Sequence, residues 1–112
     1  MKTIQEILNK IDELGWSVDE HDDFYEFGKY SPAEQNFRIT IYSKESSEDF
    51  IDQIYDRYNE FDVSEEAYLW LDETGHGTNG APYDMKDVYE DMEWCKETIL
   101  ELYEDLKDWI NN

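Results

Sequence analysis

The amino-acid sequence predicts a single α+β domain over residues 1–112: a three-stranded antiparallel sheet packed with an N-terminal helix and two to three C-terminal helices (αβββααα). Three observations lead to this fold class. Apolar residues recur at helical spacing towards both ends of the chain, they alternate with polar residues between residues 16 and 42, and the connections in that middle stretch are short. Short connections allow hairpins but not parallel crossovers, so the strands are expected to be antiparallel.

The first predicted helix covers residues 3–14. Thr3 and Glu6 have the spacing of a capping box, and Gly15 is placed to end the helix. Its apolar stripe consists of Ile4, Ile7, Leu8, Ile11 and Leu14. Three strands are predicted next, over 16–18, 24–27 and 37–42, with turn signals at Asp22-Asp23 and Ser31-Pro32 between them.

Ser46 and Ser47 are good N-caps for a second helix. Its stripe is formed by Phe50, Ile51, Ile54, Tyr55, Tyr58 and Phe61. The stretch 62–65 has the composition of a further cap, but the sequence leaves open whether segment 64–72 is helix or strand, because a run of apolar residues fixes no period. Residues 75–82 are predicted to form a flexible loop.

The last predicted helix has the clearest pattern, with apolar residues spaced alternately three and four apart. This seam consists of Met85, Val88, Met92, Cys95, Ile99, Leu102, Leu106 and Trp109. Such a seam packs lengthwise against another helix or across a sheet. Two interpretations stand side by side: a core stripe within one chain, or a coiled-coil homodimer through the C-terminal helix.

The charge is the most unusual property of the chain. Thirty acidic residues face nine basic ones, and the net charge is −21. Aromatic residues reach 16%, which favours a folded chain over acidic disorder. Solubility at this size needs a net charge of magnitude only about 2–8, so the excess indicates a surface selected for its field. The alternative is a merely solvated acidic surface.

The expected partner of this surface is a basic nucleic-acid-binding protein. Nucleic acid and anionic lipid would both be repelled, so direct binding to nucleic acid or to a membrane is not expected. Carboxylates one helical turn apart rise about 5.4 Å, comparable with phosphates along a strand. The predicted partner-binding residues are Asp19, Glu20, Asp22, Asp23, Glu65, Glu66, Asp72, Glu73, Glu90, Glu97, Glu101, Glu104 and Asp108. Four aromatic residues, Tyr25, Tyr30, Tyr83 and Trp94, do not all fit on apolar stripes: they are either exposed anchors beside these acids or partly buried residues at the edge of the core.

No motif in the sequence points to catalysis, a cofactor or a metal. His21 and His76 lack a nucleophile at motif spacing, and Cys95 lies on the apolar seam. A calcium-loop test on 62–73 fails at Ala67, where the turn needs glycine. The chain is therefore predicted not to be an enzyme. A single cysteine, and the lack of a signal-peptide pattern or an apolar span, favour the cytoplasm.

The pattern resembles the small acidic type II anti-CRISPR proteins of phages and mobile genetic elements. The likeness covers roughly the first 60 residues and runs through Ile4-Gln5-Glu6-Ile7-Leu8, Trp16-Ser17-Val18, Phe37-Arg38-Ile39 and Phe50-Ile51-Asp52. The second half is similar to uncharacterised acidic proteins of bacterial mobile elements, and the long C-terminal helix departs from the shortest anti-CRISPR proteins. The resemblance implies a protein that occupies the site where an RNA-guided nuclease reads the DNA flanking its target.

The expected function is that of a DNA-mimic inhibitor. A type II CRISPR nuclease is the first expected target in the bacterial host cell, and a restriction enzyme is the second. One alternative is an immunity protein that neutralises a cationic toxin nuclease encoded beside it. Another is an acidic metabolic or metal-binding protein.

Overall fold

The computed structural model describes residues 2–42, 44–74 and 85–111, except for the side chains of residues 70–74, 85 and 86. Its elements confirm the predicted α+β order. They are α1 (Ile4–Glu13), β1 (Ser17–Glu20), β2 (Tyr25–Tyr30), β3 (Asn36–Ile41), α2 (Ser47–Glu60), α3 (Val63–Thr74) and α4 (Met85–Asn111). The loop predicted at 75–82 lies outside the described residues.

Short polar side chains begin three of the helices. The Thr3 hydroxyl accepts from the Glu6 amide, and the Glu6 carboxylate accepts from the Thr3 amide, each at 3.1 Å. These hydrogen bonds hold the pKa of Glu6 below its usual range. Ser46 accepts from the amide of Asp49 at 3.1 Å. Asp62 accepts from the amide of Glu65 at 3.1 Å, which makes it the cap that starts α3 and settles segment 64–72 as helix.

The sheet is antiparallel in the order β1-β2-β3, and its two faces differ in polarity. Phe27, Ile39 and Ile41 point to the helices and are at most 6% exposed. Asp19 and Arg38 occupy the opposite, polar face. Tyr25 belongs to the buried face as well, with its ring edge-on to Phe50 at 5.6 Å, so of the two interpretations it is a residue of the core and not an exposed anchor.

The turn between β2 and β3 is tight and places one residue in an unusual backbone conformation. The Ser31 amide donates to the Gln35 carbonyl at 2.9 Å, and the Glu34 amide donates to the Ser31 carbonyl at 2.8 Å. Glu34 has a φ of 64°, in the left-handed region that a three-residue hairpin loop requires. A residue with a Cβ pays for this conformation in free energy, so the turn depends on support from neighbouring elements.

Helix α4 packs its apolar seam inside the single chain. Val88, Cys95, Ile99 and Leu106 have no exposed surface. Met92 and Leu102 are each 2% exposed, and α4 packs against α3, α2 and α1. The seam is therefore the intramolecular core stripe, and these side chains leave no surface for a second chain. Among the described helices, none is both long and apolar enough to cross a bilayer.

Candidate functional site: the acidic surface

The predicted partner-binding acids lie on three parts of the fold. Asp19, Glu20, Asp22 and Asp23 lie on β1 and the turn after it. Glu65, Glu66, Asp72 and Glu73 lie on α3, and the last two side chains are outside the described residues. Glu90, Glu97, Glu101, Glu104 and Asp108 lie on α4. Helices α3 and α4 pack together, whereas β1 packs against α1 and β2.

The α4 group lies diametrically opposite the apolar seam. At 100° per residue its five carboxylates fall within a narrow arc of the helix surface, centred about 180° from Ile99. We call these residues, Glu90, Glu97, Glu101, Glu104 and Asp108, the α4 acidic stripe; all of them are exposed. From Glu97 to Asp108 the stripe rises about 16 Å along the helix axis at 1.5 Å per residue. Within the described part of the chain, Glu97, Glu101, Glu104 and Asp108 take part in no ion pair.

The lysines that could neutralise this stripe are held over aromatic rings instead. Lys96 lies 5.1 Å from the Tyr58 ring centre and donates to the Phe61 carbonyl at 2.9 Å. Lys107 lies 6.0 Å from the Tyr103 ring centre. Lys2, Lys10, Lys29 and Lys44 likewise sit over Trp109, Trp16 or Tyr25. Such contacts are favourable by about 0.5–1 kcal/mol at exposed sites. Each lysine with a described side chain is thus placed on a ring, and none of them forms an ion pair with Glu97, Glu101, Glu104 or Asp108.

The β1 group is partly neutralised by Arg38. Its Nη1 lies 2.9 Å from a carboxylate oxygen of Asp19 and 3.2 Å from one of Glu26. This crossing of the sheet requires Gly28, because a Cβ there would lie 3.2 Å from Cζ of Arg38. Glu20, Asp22 and Asp23 are exposed nearby. The group therefore has one of its four carboxylates already paired.

The two described acids of the α3 group point in different directions. Glu65 is exposed, whereas Glu66 is half-buried. The Glu66 charge acts on the buried thiol of Cys95 in α4, so its side chain lies towards the α3–α4 contact. Glu66 is a poor candidate for direct contact with a large partner, whereas Glu97, Glu101, Glu104 and Asp108 of the α4 acidic stripe are exposed and form no ion pair among the described residues.

Asp91 is a buried carboxylate that the sequence did not single out. It lies beside the apolar seam and not on it, yet it is only 5% exposed. It accepts from the Ser31 hydroxyl at 2.6 Å and from the Ala33 amide at 3.0 Å. The carboxylate ties α4 to the turn that carries Glu34. The one sequence signal for its burial is its position four residues before Cys95, on the flank of the seam.

We expect Asp91→Ala to lower the free energy of unfolding by about 2–4 kcal/mol, because a charge-assisted bond is lost and buried donors are left without an acceptor. Asp91→Asn should cost less, since its side-chain oxygen still accepts. Asp105→Ala, on the exposed surface of the same helix, should stay within about 0.5 kcal/mol of the parent. Urea unfolding measures all three. An Asp91→Ala variant as stable as Asp105→Ala would contradict the claim that the Asp91 carboxylate stabilises the fold.

The remaining predicted anchors differ in exposure. Tyr30 is 72% exposed, at the end of β2, while Trp94 is half-buried on α4. Tyr83 lies outside the described residues. Tyr68 on α3 is 70% exposed and was missed, because its place in a run of apolar residues gave no sign of direction.

Cys95 is inert in this fold. It has no exposed surface, and burial, with the charges of Asp91 and Glu66, raises the pKa of its thiol to about 12. In the described residues no three histidine, cysteine or acidic side chains are grouped so that they could hold a metal ion.

We expect iodoacetamide to alkylate Cys95 in the folded protein at pH 8 about a thousandfold more slowly than in urea, because only the thiolate reacts and its fraction falls by about that factor. Unfolding restores the ordinary pKa near 9.0, so the thiol contributes stability that is fully present below pH 9 and lost as pH rises towards 12. Burial also raises the pKa of Tyr25, which acts in the same direction. Cys95→Ala isolates the share of the thiol. Equal alkylation rates in the folded and unfolded protein would contradict the burial.

No family model, curated protein or solved structure matches this chain.

Proposed function

We propose that the protein is an acidic DNA mimic that binds the nucleic-acid-binding surface of a basic nuclease and blocks its access to DNA. A type II CRISPR RNA-guided nuclease is the first proposed target, and a restriction enzyme is the second. One observation carries the proposal: the α4 acidic stripe is exposed, and Glu97, Glu101, Glu104 and Asp108 have no ion-pair partner among the described residues, while Lys96 and Lys107 lie over aromatic rings.

Such a stripe suits arginine-rich DNA-binding surfaces. The guanidinium fork binds carboxylates and phosphates in the same bidentate geometry, so arginines that grip a DNA backbone also grip a row of glutamates. Opposite fields speed the encounter and make binding depend on salt. Like charges one turn apart destabilise a helix by a few tenths of a kcal/mol per pair, a cost that a binding role would explain.

A DNA-displacement assay tests the proposal. A guide-loaded type II nuclease, and separately a restriction enzyme without its metal, is given a labelled target duplex and increasing amounts of this protein. We expect loss of duplex binding at nanomolar to micromolar protein for at least one of them. Undiminished DNA binding by both classes would contradict the proposal.

A further inference from the structure

Strand β3 lies at the edge of the described sheet, and one side of its backbone faces no other strand of the described residues. Antiparallel pairs alternate between residues that hydrogen-bond to the neighbouring strand and residues that point away from it. Because Ser31 donates to Gln35, the bonding residues in β3 are Phe37, Ile39 and Ile41. The amide and carbonyl groups of Asn36, Arg38 and Thr40 therefore point outward.

The next outward amide along β3, that of Tyr42, already has a hydrogen-bond partner. The amide of Tyr42 donates to Oε1 of Gln53 on α2 at 2.9 Å, where the helix closes off the end of the strand. Before that point, the outward backbone groups of Asn36, Arg38 and Thr40 have no hydrogen-bond partner among the described residues. A row of unpaired groups on an edge strand is a template for an added strand.

A groove of about 390 Å³ runs beside this edge, between β3 and the helices. Phe61 contributes apolar surface to it, and Glu60, whose side chain is 65% exposed, contributes a carboxylate. The open edge of β3 and this groove lie side by side, so an extended segment paired with the edge would run along the groove.

The charge of the chain indicates which kind of segment binds in the groove. Arg38 is turned away from the edge across Gly28 to Asp19 and Glu26, and Arg57 is paired with Glu60 at 3.3 Å. Neither arginine is thus a free cation at the groove, and the chain as a whole carries −21. A second copy of this chain would bring the same charge to the edge and be repelled. A basic segment would be attracted.

We propose that the β3 edge and this groove bind an extended, lysine- or arginine-rich segment of a partner protein as a fourth strand. Backbone hydrogen bonds to Asn36, Arg38 and Thr40 supply the register. Alternate side chains of the added strand face the wall that carries the exposed carboxylate of Glu60. The site includes no residue of the α4 acidic stripe. The proposal can therefore be tested independently of DNA mimicry.

The probe is a short, fluorescein-labelled peptide of alternating lysine and valine with blocked ends. We expect it to bind at low ionic strength, and we expect the amides of Asn36, Arg38 and Thr40 to exchange with deuterium at least about tenfold more slowly when it is bound. A matched peptide with alternate amides N-methylated keeps the charge but cannot complete the ladder. We expect its affinity to be at least about tenfold lower.

Two variants complete the test. Thr40→Pro removes an outward amide without touching the bonds to β2, and prolines are tolerated on edge strands. Thr40→Val keeps the amide. We expect tenfold weaker peptide binding for the proline variant alone, or about 1.4 kcal/mol, with circular dichroism confirming that both fold. Equal binding of the two peptides would reduce the effect to general charge attraction and overturn the proposal. Protection at the β1 edge, no binding at all, or a dimer of this chain paired through β3 would overturn it as well.

Discussion

Reversing Glu97, Glu101 and Glu104 to lysine is expected to abolish inhibition of the target nuclease. These carboxylates are exposed, unpaired among the described residues, and aligned opposite the buried seam of α4. Three lysines there would place cations against the arginines of the partner. Like-charge contacts at an interface cost several kcal/mol, so we expect the affinity to fall at least about a hundredfold.

The reversal is not expected to unfold the protein. The three side chains contribute nothing to the core, and removing repulsion between acids one turn apart favours the helix. Each reversal changes the net charge by two, so the triple variant carries −15 in place of −21. Circular dichroism and urea unfolding should match the parent or show a small gain.

A control of equal charge separates the position of the acids from their number. Asp12, Asp52 and Asp56 are exposed acids on α1 and α2 that take part in no described ion pair. Reversing all three to lysine also gives −15 but leaves the α4 acidic stripe intact. We expect this variant to inhibit within about tenfold of the parent. Unchanged inhibition by the α4 variant would instead move the site to the β1 group or to α3.

Truncating Phe27 to alanine is expected to cost about 3–5 kcal/mol of stability. Phe27 lies on the central strand with no exposed surface, and its ring packs 5.7 Å from that of Phe50 on α2. The ring joins the sheet to the helices, so its loss opens a cavity that neighbouring strands cannot fill. Domains are stable by about 5–15 kcal/mol in total, and much of that margin would be lost.

Tyr30→Ala is the matched control, because Tyr30 is an aromatic residue of the same strand that is 72% exposed. We expect it to change stability by no more than about 0.5 kcal/mol. Urea unfolding compares the two, with the midpoint shifting at an unchanged slope. A Phe27 variant no less stable than the Tyr30 variant would contradict the placement of the core.

The elements of the fold could be predicted wherever a local signal fixed them. The capping box of Thr3 and Glu6 and the seam of α4 are patterns within one element, and both are confirmed. Segment 64–72 stayed open because its apolar run has no period. The cap at Asp62 decided it, and that cap was visible in the sequence.

The sequence does not determine the burial of residues whose direction depends on another element. Tyr25 is buried because its register with Ile41 puts it on the face towards α2, and a strand read alone does not show which face the core covers. Asp91 is buried because the β2–β3 turn packs against its flank of α4. A count of acidic residues along the sequence does not distinguish a buried carboxylate such as Asp91 from an exposed one.

The candidate site depended on tertiary structure even more strongly. The sequence showed that the acids of the final helix fall off the seam, and the exposure of the α4 acidic stripe is confirmed. It gave no indication that Lys96 and Lys107 would lie over tyrosine rings or that Arg38 would pair with Asp19. These contacts determine which acidic side chains have a basic ion-pair partner.

The most direct test of the central claim is the salt dependence of binding between this protein and a purified nuclease. The account predicts that affinity falls by at least about tenfold as salt rises from about 50 to 200 mM, and that reversing the α4 acidic stripe flattens this dependence. Binding that does not respond to salt, or the absence of binding to both CRISPR and restriction nucleases at low salt, would contradict it.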